Sequence, residues 1–336
     1  MSDKIFKQLQ KELPNIQKNV LLKNYTTFKI GGPAEYFLIV PTKSRIHDSK
    51  AIGIKEKDNL IKAIKIAKNL KLPIFIFGGG SNLLVLDKGI KGLVVKMQDK
   101  DKSYFIKNNI VSANSGAELK DLIEFSVENS LEGLEWAGGL PGTFGGAIRG
   151  NAGAFGGEIK DIILEVKALD RKFNVKKLSN QQCRFSYRSS IFKKKNWTVI
   201  WASLKLKRGD KKSLQEIAKS HIDYRKQRHP LEYPNAGSIF KNIDFKKFSP
   251  KLQRTLLPVV KKDPFPVVPT AYLISEAGLK GTRIGDAQVS EKHPNFIVNL
   301  GDAKAKDVLS LIDLVREKIK RVYGIDLETE VQIVGF

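Results

Sequence analysis

The stretch LEWAGGLPGTFGGAIRGNAGAFGGE, from Leu134 to Glu158, decides the fold that we predict for this chain. Nine of its 25 residues are glycine and only three are charged. Glycine lets the backbone approach another group closely, because no Cβ stands in the way. We therefore predict a main chain folded tightly around a bound group that backbone amides hold.

A second glycine-rich segment, FGGGSNLLV from Phe77 to Val85, follows a short apolar strand predicted over Leu72 to Phe77. Successive backbone N–H groups in such turns form concavities that suit phosphate oxygens. Neither loop has the pattern of a dinucleotide fingerprint, which must follow a strand and open a helix. We predict that the two loops hold a pyrophosphate without a helix N-terminus. Two ordinary glycine-rich hairpins are the alternative.

Further motifs accompany the two loops. In chain order they are NYTTFKIGGPAEYF (Asn24–Phe37), SYRSSIFK (Ser186–Lys193), PNAGSIFKN (Pro234–Asn242), GLKGTRIGDAQVSEKHPNFIVN (Gly278–Asn299) and LETEV (Leu327–Val331). In this order, and over nearly the whole chain, the motifs resemble the UDP-N-acetylenolpyruvoylglucosamine reductases, flavoenzymes of peptidoglycan precursor synthesis.

The resemblance implies an α+β fold, with a vanillyl-alcohol-oxidase/PCMH-type FAD-binding domain and a C-terminal α/β substrate-binding domain. The FAD-binding region is expected over residues 1–208, in two subdomains of about 1–90 and 91–208. The substrate domain is expected over residues 209–326, and residues 327–336 are expected to return as a strand carrying Glu330. The direct route into a helix at Leu214 leaves no room for the crossing loop with a substrate-contacting tyrosine, which indicates the subclass that lacks it.

The resemblance also implies a reaction. NADPH reduces FAD, and hydride then passes to the enolpyruvyl ether of UDP-N-acetylglucosamine enolpyruvate. Negative charge develops on the carbon between the ether oxygen and the carboxylate, and this carbon needs a proton. By resemblance, Arg188 and Glu330 address the substrate carboxylate and Ser238 gives the proton. The family commonly has aspartate where Ser189 stands.

Ligand-binding residues follow from the same resemblance. Those expected to contact FAD lie in the two glycine loops: Gly78, Gly79, Gly80, Ser81, Asn82, Gly142, Thr143, Gly145, Gly146, Asn151, Gly153 and Gly156. Those expected to bind the substrate are Tyr187, Arg228, Asn242, Lys280 and His293, with His229 as a further candidate for holding a phosphate.

The net charge of +24 raises the question of a nucleic-acid or membrane partner. Only 12 of the 59 basic residues are arginine, and the lysines are spread over every segment without basic and aromatic stacking units. We therefore expect a solvated basic surface and neither partner. A basic nucleic-acid-binding protein is the alternative outside enzymes. Another flavin oxidoreductase on the same FAD fold is the alternative within them.

The single cysteine, Cys183, excludes an internal disulfide, and the four histidines show no metal-binding spacing. No metal is therefore expected. The N-terminus is charged, and the chain has no run of 18 apolar residues. We expect a cytoplasmic monomer.

Apolar spacing predicts the elements at the start of the chain. These are an amphipathic helix over Ser2 to Val20, interrupted at Pro14, and strands over Tyr25 to Phe28 and Glu35 to Val40. A polar insert, Thr42 to Lys57, is expected to be a surface excursion.

Further along, a helix over Glu118 to Asn129 is expected to be capped by Ser115 or Gly116. The segment Asn242 to Pro269 is expected to be a lid or an outward loop, because it holds several prolines and lysines. The other predicted helices are Asp58–Leu70, Leu214–Arg225, Ala271–Ala277 and Ala305–Tyr323, and the other predicted strands are Gly92–Met97, Ile110–Ala113, Ile163–Asp170, Val175–Leu178 and Phe296–Asn299.

Overall fold

The computed structural model describes residues 2–41, 59–102 and 104–335, which form two compact units. Unit 1 takes the described residues up to 20, from 34 to 79 and from 91 to 223. Unit 2 takes residues 21–33, 80–90 and those from 224 onward. The predicted insert Thr42 to Lys57 lies outside the described residues. The functional boundaries expected at residues 208 and 326 stay predictions.

The α-helices are, in chain order, α1 (Ser2–Glu12), α2 (Asn59–Asn69), α3 (Leu119–Glu128), α4 (Phe144–Gly150), α5 (Ile159–Ile162), α6 (Ile191–Lys194), α7 (Lys211–Arg228), α8 (Pro250–Leu256), α9 (Thr270–Glu276) and α10 (Ala305–Tyr323).

The strands are β1 (Gln17–Leu21), β2 (Pro33–Pro41), β3 (Ile74–Phe77), β4 (Leu83–Val85), β5 (Ile90–Gln98), β6 (Phe105–Lys107), β7 (Ile110–Asn114), β8 (Leu131–Glu132), β9 (Gly153–Ala154), β10 (Gly157–Glu158), β11 (Ile163–Leu169), β12 (Val175–Ser179), β13 (Thr198–Lys205), β14 (Lys207–Arg208), β15 (Asn235–Ser238), β16 (Ile243–Asp244), β17 (Val267–Val268), β18 (Arg283–Ile284), β19 (Ala287–Val289), β20 (Phe296–Asn299) and β21 (Gln332–Val334).

The two larger sheets of unit 1 each have their own core. The first has the strand order β1-β2-β5-β3, in which β3 and β5 run parallel. Its core buries Leu9 of α1, Tyr36 of β2 and Leu93 of β5 with the apolar face of α2, where buried residues recur every three or four positions. The second sheet has the order β12-β11-β13-β7-β6 and is antiparallel throughout. Phe144 of α4 and Leu122 of α3 are fully buried in its core.

Unit 2 is built on the antiparallel sheet β15-β20-β19-β18. Buried Phe240 and Ile297 share its core with Leu311 and Val315 of α10. Near the end of the chain, β21 pairs in parallel with β4, so that Ile333 lies opposite Leu84. This pairing puts the last strand beside the segment that follows the first glycine loop.

Two predictions for the N-terminal part are wrong. The first helix ends at Glu12 and β1 begins at Gln17, because Pro14 has no amide hydrogen to continue the helical ladder. No strand covers Tyr25 to Phe28 in the described chain, where a 3₁₀ turn over Leu22 to Tyr25 leads into a loop. That loop is closed by a hydrogen bond from Thr26 Oγ1 to the carbonyl of Ile30.

The cap predicted for α3 is also wrong. The N-cap residue is Glu118, and its side chain makes no capping hydrogen bond. The amide of Leu119 donates instead to the carbonyl of Gly142, at 2.9 Å. The second glycine loop therefore satisfies a donor that a capping side chain normally satisfies.

The segment from Asn242 to Pro269 is not an outward loop. Strands β16 and β17 pair with each other, and α8 lies between them in sequence. Phe248 and Leu256 are each 3% exposed and belong to the core of unit 2. The alternative prediction, that the segment acts as a lid, stays a prediction.

Candidate active site

The two glycine loops approach each other within unit 1. A Cβ built at Gly78 would lie 2.1 Å from Thr143 Oγ1, and one at Gly79 would lie 2.8 Å from the Cα of Gly142. Side chains at Gly78 and Gly79 are therefore excluded by the second loop. Gly78 packs against the side chain of Thr143 and Gly79 against the main chain of Gly142, so the first loop contributes main chain alone at these two positions, as expected for a cradle of backbone amides around phosphate oxygens. The residues present fit the pyrophosphate of FAD in this respect.

The second glycine stretch contains a helix that the sequence did not predict. Helix α4, with Thr143 at its N-cap, takes up seven residues of the stretch, three of which are neither glycine nor charged. Phe144 and Ile148 are both fully buried, and this packing outweighs the poor helix propensity of glycine. The expectation of a loop without a helix is therefore wrong.

The other residues predicted to contact FAD are placed as follows. Gly80, Ser81 and Asn82 connect β3 to β4, Gly145 and Gly146 lie in α4, Gly153 lies in β9, and Gly156 lies in the turn between β9 and β10. Asn151 is completely buried: its Nδ2 donates to the carbonyl of Ser186, and its Oδ1 accepts from the amide of Lys160. Its side chain thus stabilises the loop, and a role towards the cofactor stays a prediction.

Arg188 lies in a tight turn of unit 1. Its φ is +51°, and the turn is closed by two backbone hydrogen bonds between Ser186 and Ser189. The guanidinium donates from Nη2 to the carbonyl of Gly153 at 2.8 Å, and it lies 5.1 Å from the centre of the Tyr187 ring. The structure therefore brings Arg188 and Tyr187 together with the second glycine loop.

Ser238 ends β15 at a β-bulge of unit 2. Asn235 pairs with Val298 and Ser238 with Phe296, so that β15 has one residue more than its partner over this interval. Gly237, with φ of +77°, accommodates the extra residue. Bulges commonly redirect a side chain, and this one lies directly before the serine predicted to donate a proton.

Glu330 is tied to the segment that carries Ser238. Its amide donates to the carbonyl of Ile239 at 2.7 Å, although Glu330 itself precedes β21 and is not part of a strand. Asn82 donates from Nδ2 to the carbonyl of Glu330 at 3.2 Å, and the carbonyl of Asn82 accepts from the amide of Gln332 at 3.0 Å. Ser238, Glu330 and the end of the first glycine loop therefore meet in unit 2.

The predicted substrate-binding residues differ from one another in exposure and in the contacts that they make. Asn242 Oδ1 accepts from the amide of Thr270 at 3.2 Å, at the start of α9. Lys280 is exposed in the turn between α9 and β18. Arg228 is exposed at the end of α7, and its guanidinium lies 5.9 Å from the centre of the Tyr224 ring. These placements leave their predicted roles as predictions.

His229 and His293 form an aromatic cluster with Phe296. The two imidazoles meet edge to face with ring centres 5.3 Å apart. Burial lowers the pKa of His229 to about 4, helped by the neighbouring charges of His293, Arg225 and Lys292. Burial also lowers the pKa of His293 to about 4, and Lys261 adds to this shift. Both imidazoles are therefore neutral at pH 7, and each can offer one N–H donor to a ligand.

Two family models match the chain. One, described as an FAD binding domain, matches residues 51–179, and the other, described as UDP-N-acetylenolpyruvoylglucosamine reductase, C-terminal domain, matches residues 229–334. The UDP-N-acetylenolpyruvoylglucosamine reductase of Caldanaerobacter subterraneus subsp. tengcongensis is 39% identical over 94% of this chain and 93% of its own length. That of Alkaliphilus oremlandii is 39% identical over 99% of this chain and 98% of its own.

The chain belongs to the UDP-N-acetylenolpyruvoylglucosamine reductase family. A crystal structure of the reductase from Thermus caldophilus matches it with a TM-score of 0.71 at 30% identity, covering 95% of this chain and 100% of that one. The predicted α+β fold, an FAD-binding domain followed by the reductase's C-terminal domain, is confirmed. The subclass within the reductases stays a prediction.

The sequence analysis did not single out Arg225, a buried arginine in the C-terminal part of the chain. Arg225 is only 7% exposed, whereas Arg228, which was predicted, is exposed. A signal was present, since Leu214, Ala218, His221 and Arg225 recur at helical spacing and are less exposed than most other positions of α7. An arginine in such a series is rarely buried unless it has a partner.

Residues 2–41, 59–102 and 104–335 contain no candidate for a membrane-spanning helix or for a metal centre. No helix there is long and apolar enough to cross a bilayer. The same residues contain no group of three or more His, Cys, Asp or Glu side chains arranged to hold a metal ion.

Proposed function

We propose that the protein catalyses the NADPH-dependent, FAD-mediated reduction of UDP-N-acetylglucosamine enolpyruvate to UDP-N-acetylmuramate, in peptidoglycan precursor synthesis. The observation that carries the proposal is the 39% identity to reductases of this name over 94% and 99% of the chain. The hydrogen bond that joins Glu330 to the residue after Ser238 supports it independently. The proposed enzyme is a cytoplasmic monomer that needs no nucleic acid or membrane.

The two glycine loops are proposed to hold FAD, which supplies hydride-transfer chemistry when bound. Their contacts are proposed to be backbone amides, because Gly78 and Gly79 leave no room for side chains where the loops meet. The residues assigned to this role are Gly78, Gly79, Gly80, Ser81, Asn82, Gly142, Thr143, Gly145, Gly146, Asn151, Gly153 and Gly156.

Arg188 is proposed to bind the carboxylate of the substrate. A guanidinium presents parallel N–H donors that match the two oxygens of a carboxylate, and its positive charge favours the enolate form that follows hydride transfer. Glu330 is proposed to address the same group. The left-handed backbone at Arg188 is strained for a residue other than glycine, and such strain is often found at functional sites.

Ser238 is proposed to deliver the proton from its Oγ to the carbon between the ether oxygen and the carboxylate. A serine hydroxyl is a weak acid, so that this role requires positive charge near the alkoxide that it leaves. Arg188 and Lys280 are proposed to supply that charge. The bulge at Gly237 and Ser238 supports the assignment, because it changes the direction of the strand at the serine.

The phosphates of the nucleotide are proposed to contact the His229–His293 cluster. Neutral imidazoles donate hydrogen bonds without the cost of a buried charge, and Arg225 and Lys292 supply positive potential to the cluster. Tyr187, Asn242 and Arg228 are proposed as further contacts to the substrate.

One experiment tests the proposed function directly. The purified protein is reduced anaerobically with NADPH while its flavin absorbance is followed, and UDP-N-acetylglucosamine enolpyruvate is then added. We expect bleaching in the first step and full recovery of the absorbance in the second. A yellow protein that bleaches but is not reoxidised by this substrate would indicate another flavin oxidoreductase. A colourless protein that retards DNA would favour the nucleic-acid-binding alternative.

A further inference from the structure

Gly153 and Arg188 contact each other in a way that the pyrophosphate-binding role of the second glycine loop does not explain. The carbonyl of Gly153 accepts a 2.8 Å hydrogen bond from Arg188 Nη2. A Cβ built at Gly153 would lie 2.6 Å from Glu158 Cγ, 2.9 Å from the carbonyl oxygen of Gly157 and 3.3 Å from Arg188 Nη1. The guanidinium therefore lies beside the space that a side chain at residue 153 would occupy.

Other contacts restrain the backbone of Arg188 and one face of its guanidinium. Ser186 and Ser189 close the backbone turn around it, and Lys193 Nζ donates to its carbonyl at 3.1 Å. The Tyr187 ring lies 5.1 Å from the guanidinium and favours the cation over its face. The backbone and one face of the guanidinium are therefore held by other groups. The hydrogen bond from Nη2 to the carbonyl of Gly153 fixes one edge of the guanidinium plane.

We infer that Gly153 is a positioning residue for Arg188, which makes the second glycine loop part of the substrate site as well as of the cofactor site. The inference rests on the proposed role of Arg188 towards the substrate carboxylate. A guanidinium has five N–H donors in a rigid plane, so that fixing one of them fixes the direction of the others. Two-point binding of a carboxylate depends on that direction.

The experiment is a double-mutant cycle with Gly153→Ala and Arg188→Lys, read as the rate of flavin reoxidation by substrate. In the wild-type background, Gly153→Ala is expected to slow reoxidation by roughly 10- to 100-fold, as displacements of about 1 Å do. In the Arg188→Lys background, the same change should cost less than about twofold, because lysine offers no plane to orient. Because Gly153 is also assigned to the FAD site, the reoxidation rate is expressed per bound flavin in every variant.

The matched control is Gly150→Ala. In the described part of the chain no atom lies within 4 Å of a Cβ built at Gly150, and its φ is not positive. This variant of the same stretch should reoxidise at the wild-type rate. A readout without turnover comes from calorimetry with UDP-N-acetylmuramate, whose carboxylate should bind about tenfold or more weakly to Gly153→Ala.

Several outcomes would overturn the inference. Gly153 does not act through Arg188 if Gly153→Ala slows reoxidation by the same factor in both backgrounds. The same conclusion follows if Gly153→Ala loses flavin while the reoxidation rate per bound flavin is unchanged. A normal reoxidation rate in Arg188→Lys alone would instead overturn the proposed role of Arg188, and the inference with it. If Gly153→Ala is insoluble, Glu158→Gly can be added, since it removes the closest of the three contacts, the Cγ at 2.6 Å, and glycine is tolerated at an N-cap. Glu158→Gly alone is then the reference.

Discussion

The amide of Glu330 donates a 2.7 Å hydrogen bond to the carbonyl of Ile239, the residue after Ser238. Glu330, proposed to address the substrate carboxylate, is thus joined through its main chain to the segment that carries Ser238, proposed to protonate the carbon beside that carboxylate. Asn295 holds the same segment from another side, because its Oδ1 accepts from the amide of Phe240 and its Nδ2 donates to the carbonyl of Phe240. The side chains of Ser238 and Glu330 therefore project from a fixed backbone frame.

Ser238→Ala should separate the two half-reactions. Reduction of the flavin by NADPH requires no proton from this serine, and we expect it to keep its rate. Reoxidation by substrate should slow by roughly 10²- to 10⁴-fold, the usual loss when a general acid is removed. Stopped-flow absorbance of the flavin measures both steps. Slow bleaching with normal reoxidation would contradict the role, and the proton would then come from Glu330 or water.

Gly146→Val should lower flavin content without unfolding the protein. Gly146 is exposed on α4, and among the described residues the nearest atom to a Cβ built there is Thr143 Oγ1, at 3.5 Å. A side chain is therefore accepted by the protein but would obstruct a group bound against the loop. The ratio of flavin to protein absorbance gives the result, with Gly150→Ala as the control. Full flavin occupancy in Gly146→Val would argue against this part of the cradle.

Asn295→Ala should destabilise unit 2 around Ser238. Asn295 is 3% exposed, and its removal leaves the amide and the carbonyl of Phe240 without these partners. Each buried polar group left unpaired costs roughly 1–3 kcal/mol in the free energy of unfolding. Urea denaturation of the two proteins measures the loss. The exposed Asn69→Ala on α2 should change it by less than about 0.5 kcal/mol. Similar changes in both variants would contradict the prediction.

Stability should fall as the pH drops from 6.5 towards 4. The pKa of His229 and that of His293 are lowered from 6.5 to about 4 in the folded protein, mainly by burial. Between these values the unfolded chain binds more protons than the folded one, so acidification favours unfolding. The melting temperature, recorded across this range, should therefore decrease.

The matched variant for the pH experiment is His229→Gln, which removes one of the two titrating groups. Its melting temperature should depend less steeply on pH between 6.5 and 4 than that of the wild type. Parallel curves for the two proteins would mean that other groups cause the acid sensitivity.

Elements with a complete local pattern were predicted accurately. Helix α10 and strand β20 have the predicted bounds. In α10, buried Val308, Leu311 and Val315 recur at helical spacing, and Gly324 ends the helix with φ of +69°. The predicted N-terminal helix runs past Pro14, because the apolar spacing continues there. The observed helix ends at Glu12, because the backbone hydrogen bonds of a helix cannot continue through proline. Helix α4 was missed because packing of Phe144 and Ile148 decides it, which local propensity does not report.

The sequence by itself determined which chemical groups are available. They are two glycine-rich loops, Arg188 in the YRSS turn, the serine after Gly237, and Glu330 in LETEV. From these, and from the order of the motifs, the family, the fold class and the candidate chemistry follow. Only the tertiary structure decided that Gly153 holds Arg188, that Asn82 and Ile239 hold Glu330, and that Arg225 rather than Arg228 is buried. The hydrogen bonds among these are made to main-chain carbonyls, which every residue carries, so that no residue type in the sequence marks where they form.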